Sequence, residues 1–238
     1  MVIDDLSTLT NDEIESIERL TTRWMFQAVL DFGITAHEIF LQSPDEVKEI
    51  AEDIERELLD RLAGFNVPVR IFGTVDYKRA RYVFLPDKAI RQTLFIDSKA
   101  EKSIRTATIQ MSQTSLRVRQ FRKGLAVDEQ GILPKVSTHG GKEYLTTTGI
   151  IHFYYEDIEN IHHLKQATIA CIPNGKLQDL YNPTATDTIW LVGRNAPTLE
   201  EDFRVRLGFN LLKDKKSWRV QHIYYNEDAN TCIGTWDD

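Results

Sequence analysis

A segment of the sequence, "LFIDSKAEK" (residues 94–102), places a carboxylate and an ammonium inside an apolar run. If this segment is a strand, successive side chains point to opposite faces of the sheet. Asp97 and Lys99 then lie side by side on the face opposite to Leu94 and Ile96. Such a pair could simply close the strand as an ion pair, or it could act on a charged substrate.

A second carboxylate, Asp76 in "GTVDYK", precedes Asp97 by 21 residues. Two carboxylates that lie close together can hold Mg²⁺, which takes oxygen ligands, keeps several waters and accepts a substrate phosphate. Lys99 could stabilise an attacking water or the negative charge that develops on a scissile phosphate. This is the logic of the PD-(D/E)xK nucleases, and it predicts Asp76, Asp97 and Lys99 as catalytic residues with Asp76 and Asp97 as Mg²⁺ ligands. Val75 stands where the motif usually has proline.

Two long helices are predicted before these residues. The first begins after Thr10, which forms a capping box with Glu13, and Gly33 is its predicted end. The second begins after Ser43, and its polar face carries Asp53. An acid from such a helix could serve a metal site, so Asp53 is a candidate third ligand; the alternative is a solvated helix face.

Strands dominate the sequence after Gly64, with one interruption. A helix is predicted over residues 103–116. We therefore expect a mixed α/β (α+β) fold in a single domain over residues 1–238, with a helical part over 1–64 and a mixed-sheet core over 65–238. The predicted strands are "VRIFGTVDY", "ARYVFLP", "TLFIDSKA", "GIIHFYYED", "QATIACIP", "FRVRLGF" and "WRVQHIYYN".

Composition limits the possible classes. No apolar run approaches the roughly 20 residues of a membrane span, the N-terminus does not resemble a secretory signal, and the two cysteines have no metal-type spacing. We expect a cytoplasmic protein with no membrane partner and no nucleotide cofactor. The six histidines also lack zinc-site spacing, and His152 is expected to be a core residue.

The net charge of −7 is unevenly distributed. Residues 1–62 carry 16 acidic and 5 basic side chains, a net of −11, which leaves +4 for the rest. Within residues 99–123 there are seven basic side chains and one Glu. This stretch could neutralise phosphates, or it could be an ordinary solvated face.

Several basic and polar residues are candidate DNA contacts. Each has a plain alternative as a solvated strand face or surface loop. Arg and Asn suit guanine and adenine by geometry, which makes the segment "VGRNAP" a candidate for base reading. The candidates are Lys78 and Arg79 beside the first Asp, Lys102 and Arg105 after the second, and Arg194 and Asn195 in "VGRNAP".

Along most of its length the chain resembles the SfiI-type type II restriction endonucleases. The matching segments, in order, are "DEIESIERL", "IAEDI", "VDYKRARY", "FIDSKA", "IHFYYEDI", "LYNPTATDT" and "WRVQHIYY". The resemblance implies a PD-(D/E)xK fold and Mg²⁺-dependent cleavage of double-stranded DNA. It also implies an interrupted palindromic site read by a homodimer or homotetramer. By position, it gives Asp76 and Asp97 the metal and Lys99 the catalytic role.

Two other functions are compatible with the same residues. One is a nuclease-like module that binds DNA without cutting it. The other is a repair nuclease or resolvase that selects branched or damaged DNA rather than a short sequence. The presence of all three of Asp76, Asp97 and Lys99 favours an enzyme over a binding module.

Overall fold

The computed structural model describes residues 3–42, 51, 54, 80–193 and 204–238. A long helix packs on one face of a seven-stranded mixed sheet, beside which lie a three-stranded sheet and a two-stranded hairpin. The predicted first strand over residues 69–77 lies outside the described residues. In the described part of the chain, every helix is too short or too polar to cross a membrane.

Helix α1 spans Asn11–Gln42 and begins with the predicted capping box. The Thr10 N–H donates to Glu13 Oε2 at 2.8 Å, and the Glu13 N–H donates to Thr10 Oγ1 at 3.3 Å. The prediction that Gly33 ends this helix is wrong. A Cβ atom at Gly33 would lie 2.5 Å from Cys232 Sγ, so the glycine serves close packing of the C-terminal strand against the helix.

In the described residues after α1, the chain forms twelve strands and, from residue 178 onwards, two short helices. The strands are β1 (Ala80–Leu85), β2 (Ile90–Glu101), β3 (Thr106–Gln110), β4 (Val118–Arg122), β5 (Leu125–Glu129), β6 (Val136–His139), β7 (Lys142–Ile158), β8 (Ile161–Ile172), β9 (Trp190–Val192), β10 (Arg204–Gly208), β11 (Val220–Asn226) and β12 (Thr231–Gly234), and the helices are α2 (Gln178–Tyr181) and α3 (Phe209–Lys215). The strands predicted from the second onwards are confirmed, although Trp218 and Arg219 belong to a 3-10 turn before β11.

The main sheet has the order β1-β2-β7-β8-β11-β12, with β6 also paired to β7. β2 runs parallel to β7, and the other pairs are antiparallel. The β2–β7 register places Asp97 opposite Ile150 and Lys99 opposite His152. Paired residues of neighbouring strands point to the same face of the sheet. The side chains of Ile150 and His152 on β7 therefore lie directly beside those of the predicted catalytic pair, Asp97 and Lys99.

The predicted helix over residues 103–116 is wrong. Residues Thr106–Gln110 form strand β3, followed by a 3-10 turn over Met111–Gln113. Ala107 and Ile109 are buried while their neighbours are partly exposed, which is the two-residue period of a strand. β3 pairs with β10, so the long-range partner decides the conformation of this segment.

The two faces of the main sheet differ in what covers them. Helix α1 covers the first face, where Met25 approaches Gly149 so closely that a Cβ atom there would lie 2.3 Å from Met25 Sδ. On the second face, the ring of Phe209 in α3 meets the His152 ring edge-on, with 5.3 Å between ring centroids. The second face is the one that carries Asp97 and Lys99.

A fully buried ion pair joins α1 to the sheet. Arg219 Nη2 lies 2.7 Å from Glu18 Oε2, and both side chains have no exposed surface. Glu18 Oε1 also accepts a hydrogen bond from the Asn174 N–H at 2.8 Å. The guanidinium carbon of Arg219 lies 4.3 Å from the centroids of both the Trp218 and Tyr181 rings. Burial alone would lower the pKa of Arg219, but Glu18 and other nearby anionic groups raise it, so the guanidinium stays charged.

Removing one member of this pair leaves a buried charge without a partner. We expect Arg219→Met to lower the free energy of unfolding by roughly 3–5 kcal/mol, because Glu18 is stranded in the core. Urea unfolding at a fixed protein concentration measures the change. Arg19, on the same helix, makes an exposed ion pair with Asp238, and Arg19→Met should cost less than about 1 kcal/mol. A cost for Arg219→Met as small as that of Arg19→Met would contradict the anchoring role.

Candidate active site

The predicted catalytic pair meets at the end of β2. Lys99 Nζ lies 2.7 Å from Asp97 Oδ2, and the two side chains are 19% and 11% exposed. The strand alternation puts Ile96 on the opposite face, where it lies near Met25 of α1. The sequence-based prediction that Asp97 and Lys99 share a face is therefore confirmed. A carboxylate and an ammonium in contact, largely enclosed but still reachable from solvent, can hold a cation and donate to an oxyanion in the same place.

Sequence reasoning missed Glu101, the next residue on this face. Glu101 follows Asp97 by four residues along β2, so it continues the row Asp97, Lys99, Glu101. Its Oε1 atom accepts a hydrogen bond from the Thr108 N–H at 3.2 Å, across the gap between the two sheets. The two-residue spacing was the available signal, since "DSKAE" already has three charged residues in phase.

His152 lies beneath the catalytic pair on β7. It is a core residue, as expected, with no exposed surface. Its Nε2 atom lies 4.0 Å from Glu101 Oε2, and neither ring nitrogen makes a hydrogen bond to another described residue. Burial lowers the pKa of His152 to about 4, with a further contribution from the positive charge of Lys99. The ring is therefore neutral near pH 7 and adds no charge beside Lys99.

The remaining predicted ligands and several predicted DNA contacts lie outside the described residues. These are Asp53, Asp76, Lys78, Arg79, Arg194 and Asn195. The structure does place the strand that follows Asp76: β1 begins at Ala80 and pairs antiparallel with β2, with Ala80 opposite Phe95. Among the described residues there is no group of three or more His, Cys, Asp or Glu side chains that could hold a metal.

Asp97 has the chemistry of a Mg²⁺ ligand. It supplies hard carboxylate oxygens, which Mg²⁺ prefers. Its side chain is largely enclosed, and the ammonium of Lys99 lies against one of its oxygens. Asp97 thus supplies the ligand chemistry that Mg²⁺ prefers, and a second carboxylate is needed to offset the positive charge of Lys99.

Lys102 and Arg105, the two residues after β2 that are predicted to contact the DNA backbone, lie on the protein surface. Lys102 is 62% exposed, with its ammonium 3.7 Å from Asp157 Oδ2 and 5.8 Å from the centroid of the Tyr155 ring. Arg105 is exposed and makes no ion pair with any described residue. Because both follow the catalytic strand directly, they can meet a polyanion that reaches Asp97 and Lys99.

The basic stretch over residues 99–123 divides into two groups. Arg117, immediately before β4, and Arg119 on β4 both contact Asp128 of β5, at 2.8 and 3.4 Å, and their guanidinium groups lower the pKa of Asp128. These two arginines serve the hairpin rather than an open cationic surface. Lys102, Arg105 and the hairpin turn residue Lys123 are exposed. Contact with phosphates stays a prediction for the exposed residues of this stretch.

A third arginine of the hairpin was also missed by sequence reasoning. Arg122 Nη2 donates to Gly193 O at 2.7 Å and to Arg204 O at 3.0 Å. Gly193 follows β9, and Arg204 begins β10, so one guanidinium holds together the two strand ends that flank residues 194–203. Arg206, two residues after Arg204 on β10, donates a hydrogen bond to Thr106 Oγ1 on β3 at 3.1 Å.

Comparison with known proteins places this chain in a family. The family model for the type II restriction enzyme SfiI matches residues 28–223. The type II restriction enzyme SfiI of Streptomyces fimbriatus is 29% identical over 249 residues, covering 98% of this chain and 93% of that protein. The crystal structure of tetrameric SfiI bound to cognate DNA matches with a TM-score of 0.84 and 27% identity, covering 100% of this chain and 98% of that one. The expected fold class and the resemblance are confirmed, and the chain belongs to the SfiI family of type II restriction enzymes.

Proposed function

We propose that this restriction enzyme hydrolyses double-stranded DNA at an interrupted palindromic site in a Mg²⁺-dependent reaction. The observation that carries the proposal is the enclosed contact between Asp97 and Lys99 at the end of β2, in a chain that matches SfiI over almost its whole length. Double-stranded DNA as the substrate follows from the cognate DNA in the matching SfiI structure.

Asp76 and Asp97 would hold the metal, with Asp53 as a candidate third acid. When bound there, Mg²⁺ would neutralise charge on the scissile phosphate and lower the pKa of a bound water toward neutral pH. Lys99 would then orient the attacking water and stabilise the charge that develops on the phosphate oxygens. The partial enclosure of Asp97 and Lys99 strengthens both interactions, because charges that are shielded from water interact more strongly.

The surface residues give the DNA its position. Lys102 and Arg105 would contact phosphates just beyond the catalytic pair, and Lys78 and Arg79 would do so beside Asp76. Arg194 and Asn195 would read bases, and the support for this is the Arg122 guanidinium that ties Gly193 to Arg204 at the two ends of that segment. Phosphate contacts position the duplex, whereas base contacts specify the sequence.

The first prediction concerns the reaction itself. Incubation of the protein with phage DNA and Mg²⁺ should yield discrete fragments whose mapped ends share one short sequence. Asp97→Asn should abolish cleavage while DNA binding survives, because the amide keeps the shape but loses the charge that holds the cation. Lys99→Ala should slow cleavage by roughly 10²- to 10³-fold while metal binding is retained. Asp76→Asn should behave like Asp97→Asn.

Asp87→Asn is the matched control, since Asp87 is an exposed carboxylate in the turn between β1 and β2. It should cleave at the normal rate. Near-normal cleavage by Asp97→Asn would contradict the assignment. DNA binding without any cleavage by the unmodified chain would identify a binding module, and cleavage of branched DNA alone would identify a structure-selective nuclease.

The second prediction separates base reading from backbone contact. Arg194→Ala should cost roughly 1–3 kcal/mol of binding at one base-pair position of each half-site. Arg105→Ala should weaken binding to all sequences alike and reduce the salt dependence, since it removes one phosphate contact. Binding of both variants to the cognate site and to singly substituted sites makes the comparison. If Arg194→Ala weakens every site equally, the base-reading residue lies elsewhere, and Arg204 and Arg206 on β10 are the next candidates.

The third prediction concerns assembly. A palindrome cut on both strands needs two active sites related by two-fold symmetry. We propose a homo-oligomer with at least two chains, and the matching SfiI structure is a tetramer. For a 27.5 kDa chain, light scattering should give about 55 kDa (twice 27.5) for a dimer or about 110 kDa (four times) for a tetramer. A mass of one chain, both with and without DNA, would contradict the symmetric arrangement.

A further inference from the structure

Along one edge of strand β3, the backbone N–H groups need hydrogen-bond acceptors. In the three-stranded sheet the order is β3-β10-β9, so β3 is an end strand with β10 on one side only. Among the described strands there is none that accepts the N–H groups pointing away from β10, and unpaired groups of this kind are costly or invite wrong pairing. Two of them are accepted by side chains: the Thr108 N–H by Glu101, and the Gln110 N–H by Gln113 Oε1 at 3.0 Å.

The two acceptors differ in origin. Gln113 belongs to the turn that follows β3, so its hydrogen bond is local. Glu101 is the last residue of β2, the strand that carries Asp97 and Lys99. The hydrogen bond from Thr108 to Glu101 therefore joins the strand with the catalytic pair to the sheet that contains β10, with Arg204 and Arg206.

Glu101 is held in this direction rather than toward Lys99. Both residues are described, yet no ion pair forms between them within 4.0 Å, although they are two residues apart on the same face. One Glu101 oxygen faces the Thr108 N–H, and the other lies 4.0 Å from Nε2 of the buried His152. Lys99 is therefore left to Asp97, and a carboxylate that could compete for the ammonium is engaged elsewhere.

We propose that Glu101 is a positioning residue, which couples β2, the strand that carries Asp97 and Lys99, to the β3-β10-β9 sheet and keeps Lys99 available to Asp97. This role rests on the proposed function, but it goes beyond the three motif residues. Glu101 acts through its hydrogen bond with the Thr108 N–H, which fixes the position of β3, and through its contact with His152. A misplacement of about 1 Å between reacting groups can cost as much as 10²-fold in rate.

The test compares three variants of the full chain at saturating DNA and Mg²⁺. Glu101→Ala removes the acceptor and should slow cleavage on the order of 10- to 100-fold. DNA affinity should change by less than about threefold, since no group that contacts DNA is lost. Glu101→Gln keeps an acceptor oxygen for the Thr108 N–H and should recover most of the rate. Gln113→Ala, the matched control, frees the neighbouring N–H of the same strand and should cleave normally.

Hydrogen–deuterium exchange over residues 102–110 supplies a readout that does not depend on cleavage. Exchange should rise in Glu101→Ala and return to normal in Glu101→Gln. If the unmodified chain cuts no DNA, the proposed function fails, and this readout still decides whether Glu101 holds β3.

Four outcomes would overturn the inference. A normal cleavage rate in Glu101→Ala would remove the positioning role. Equal inactivity of Glu101→Gln and Glu101→Ala would show that the charge matters rather than the hydrogen bond. Equal slowing in Gln113→Ala would show a general dependence on an intact β3. Unchanged exchange in Glu101→Ala would show that β3 does not depend on Glu101.

Discussion

The buried pair of Glu18 and Arg219 fixes the one arrangement on which the rest of the chain depends. Glu18 lies on α1, Arg219 immediately precedes β11, and Asn174, just after β8, donates its N–H to the same carboxylate. A buried ion pair contributes little net stability compared with an apolar core, but it tolerates few geometries, because each misalignment leaves a charge without a partner. Here that intolerance sets the position of the helix relative to two neighbouring strands.

Once α1 is fixed, only one face of the main sheet remains for chemistry. The first face is closed by direct contact, as the approach of Met25 to Gly149 shows. Every second residue of β2 is consequently committed to the core, and the alternate residues point to the other face. The parallel β2–β7 register then sets Lys99 opposite His152, whose buried ring is uncharged near pH 7. The apolar run interrupted by Asp97 and Lys99 is thus a strand with one face for folding and one for function.

Local sequence pattern predicted the start of α1 and the strands β1, β2, β7, β8, β10 and β11. The α1 capping box, the later strands and the shared face of Asp97 and Lys99 follow from the residues themselves. The local sequence pattern gave the wrong secondary structure where contacts with residues far along the chain determine the conformation. Residues 106–110 are extended because β10 pairs with them, and α1 continues past Gly33 because Cys232 packs there. Roles that depend on neighbours far along the chain, such as those of Glu101 and Arg122, have little signature in a single sequence. The assignments of Asp76 and of Arg194 stay predictions, since both lie outside the described residues.

An acidic chain that binds DNA must separate its charges, and the structure indicates how this one does so. The 16 acidic residues among the first 62 give that part of the chain a net charge of −11, and it includes α1, on the far side of the sheet from Lys99. Arg119 and Arg122 of β4 make contacts within the fold, so among the described residues the exposed cations directly after β2 are Lys102 and Arg105. A long-range attraction built on few cations is weak in physiological salt, where exposed charges are screened within about 8 Å. Selective binding must then depend on short-range contacts made at a fixed distance from the cutting site. The hydrogen bond from the Thr108 N–H to Glu101 joins β2, which carries Asp97 and Lys99, to the β3-β10-β9 sheet, and so fixes the distance between these two parts of the chain.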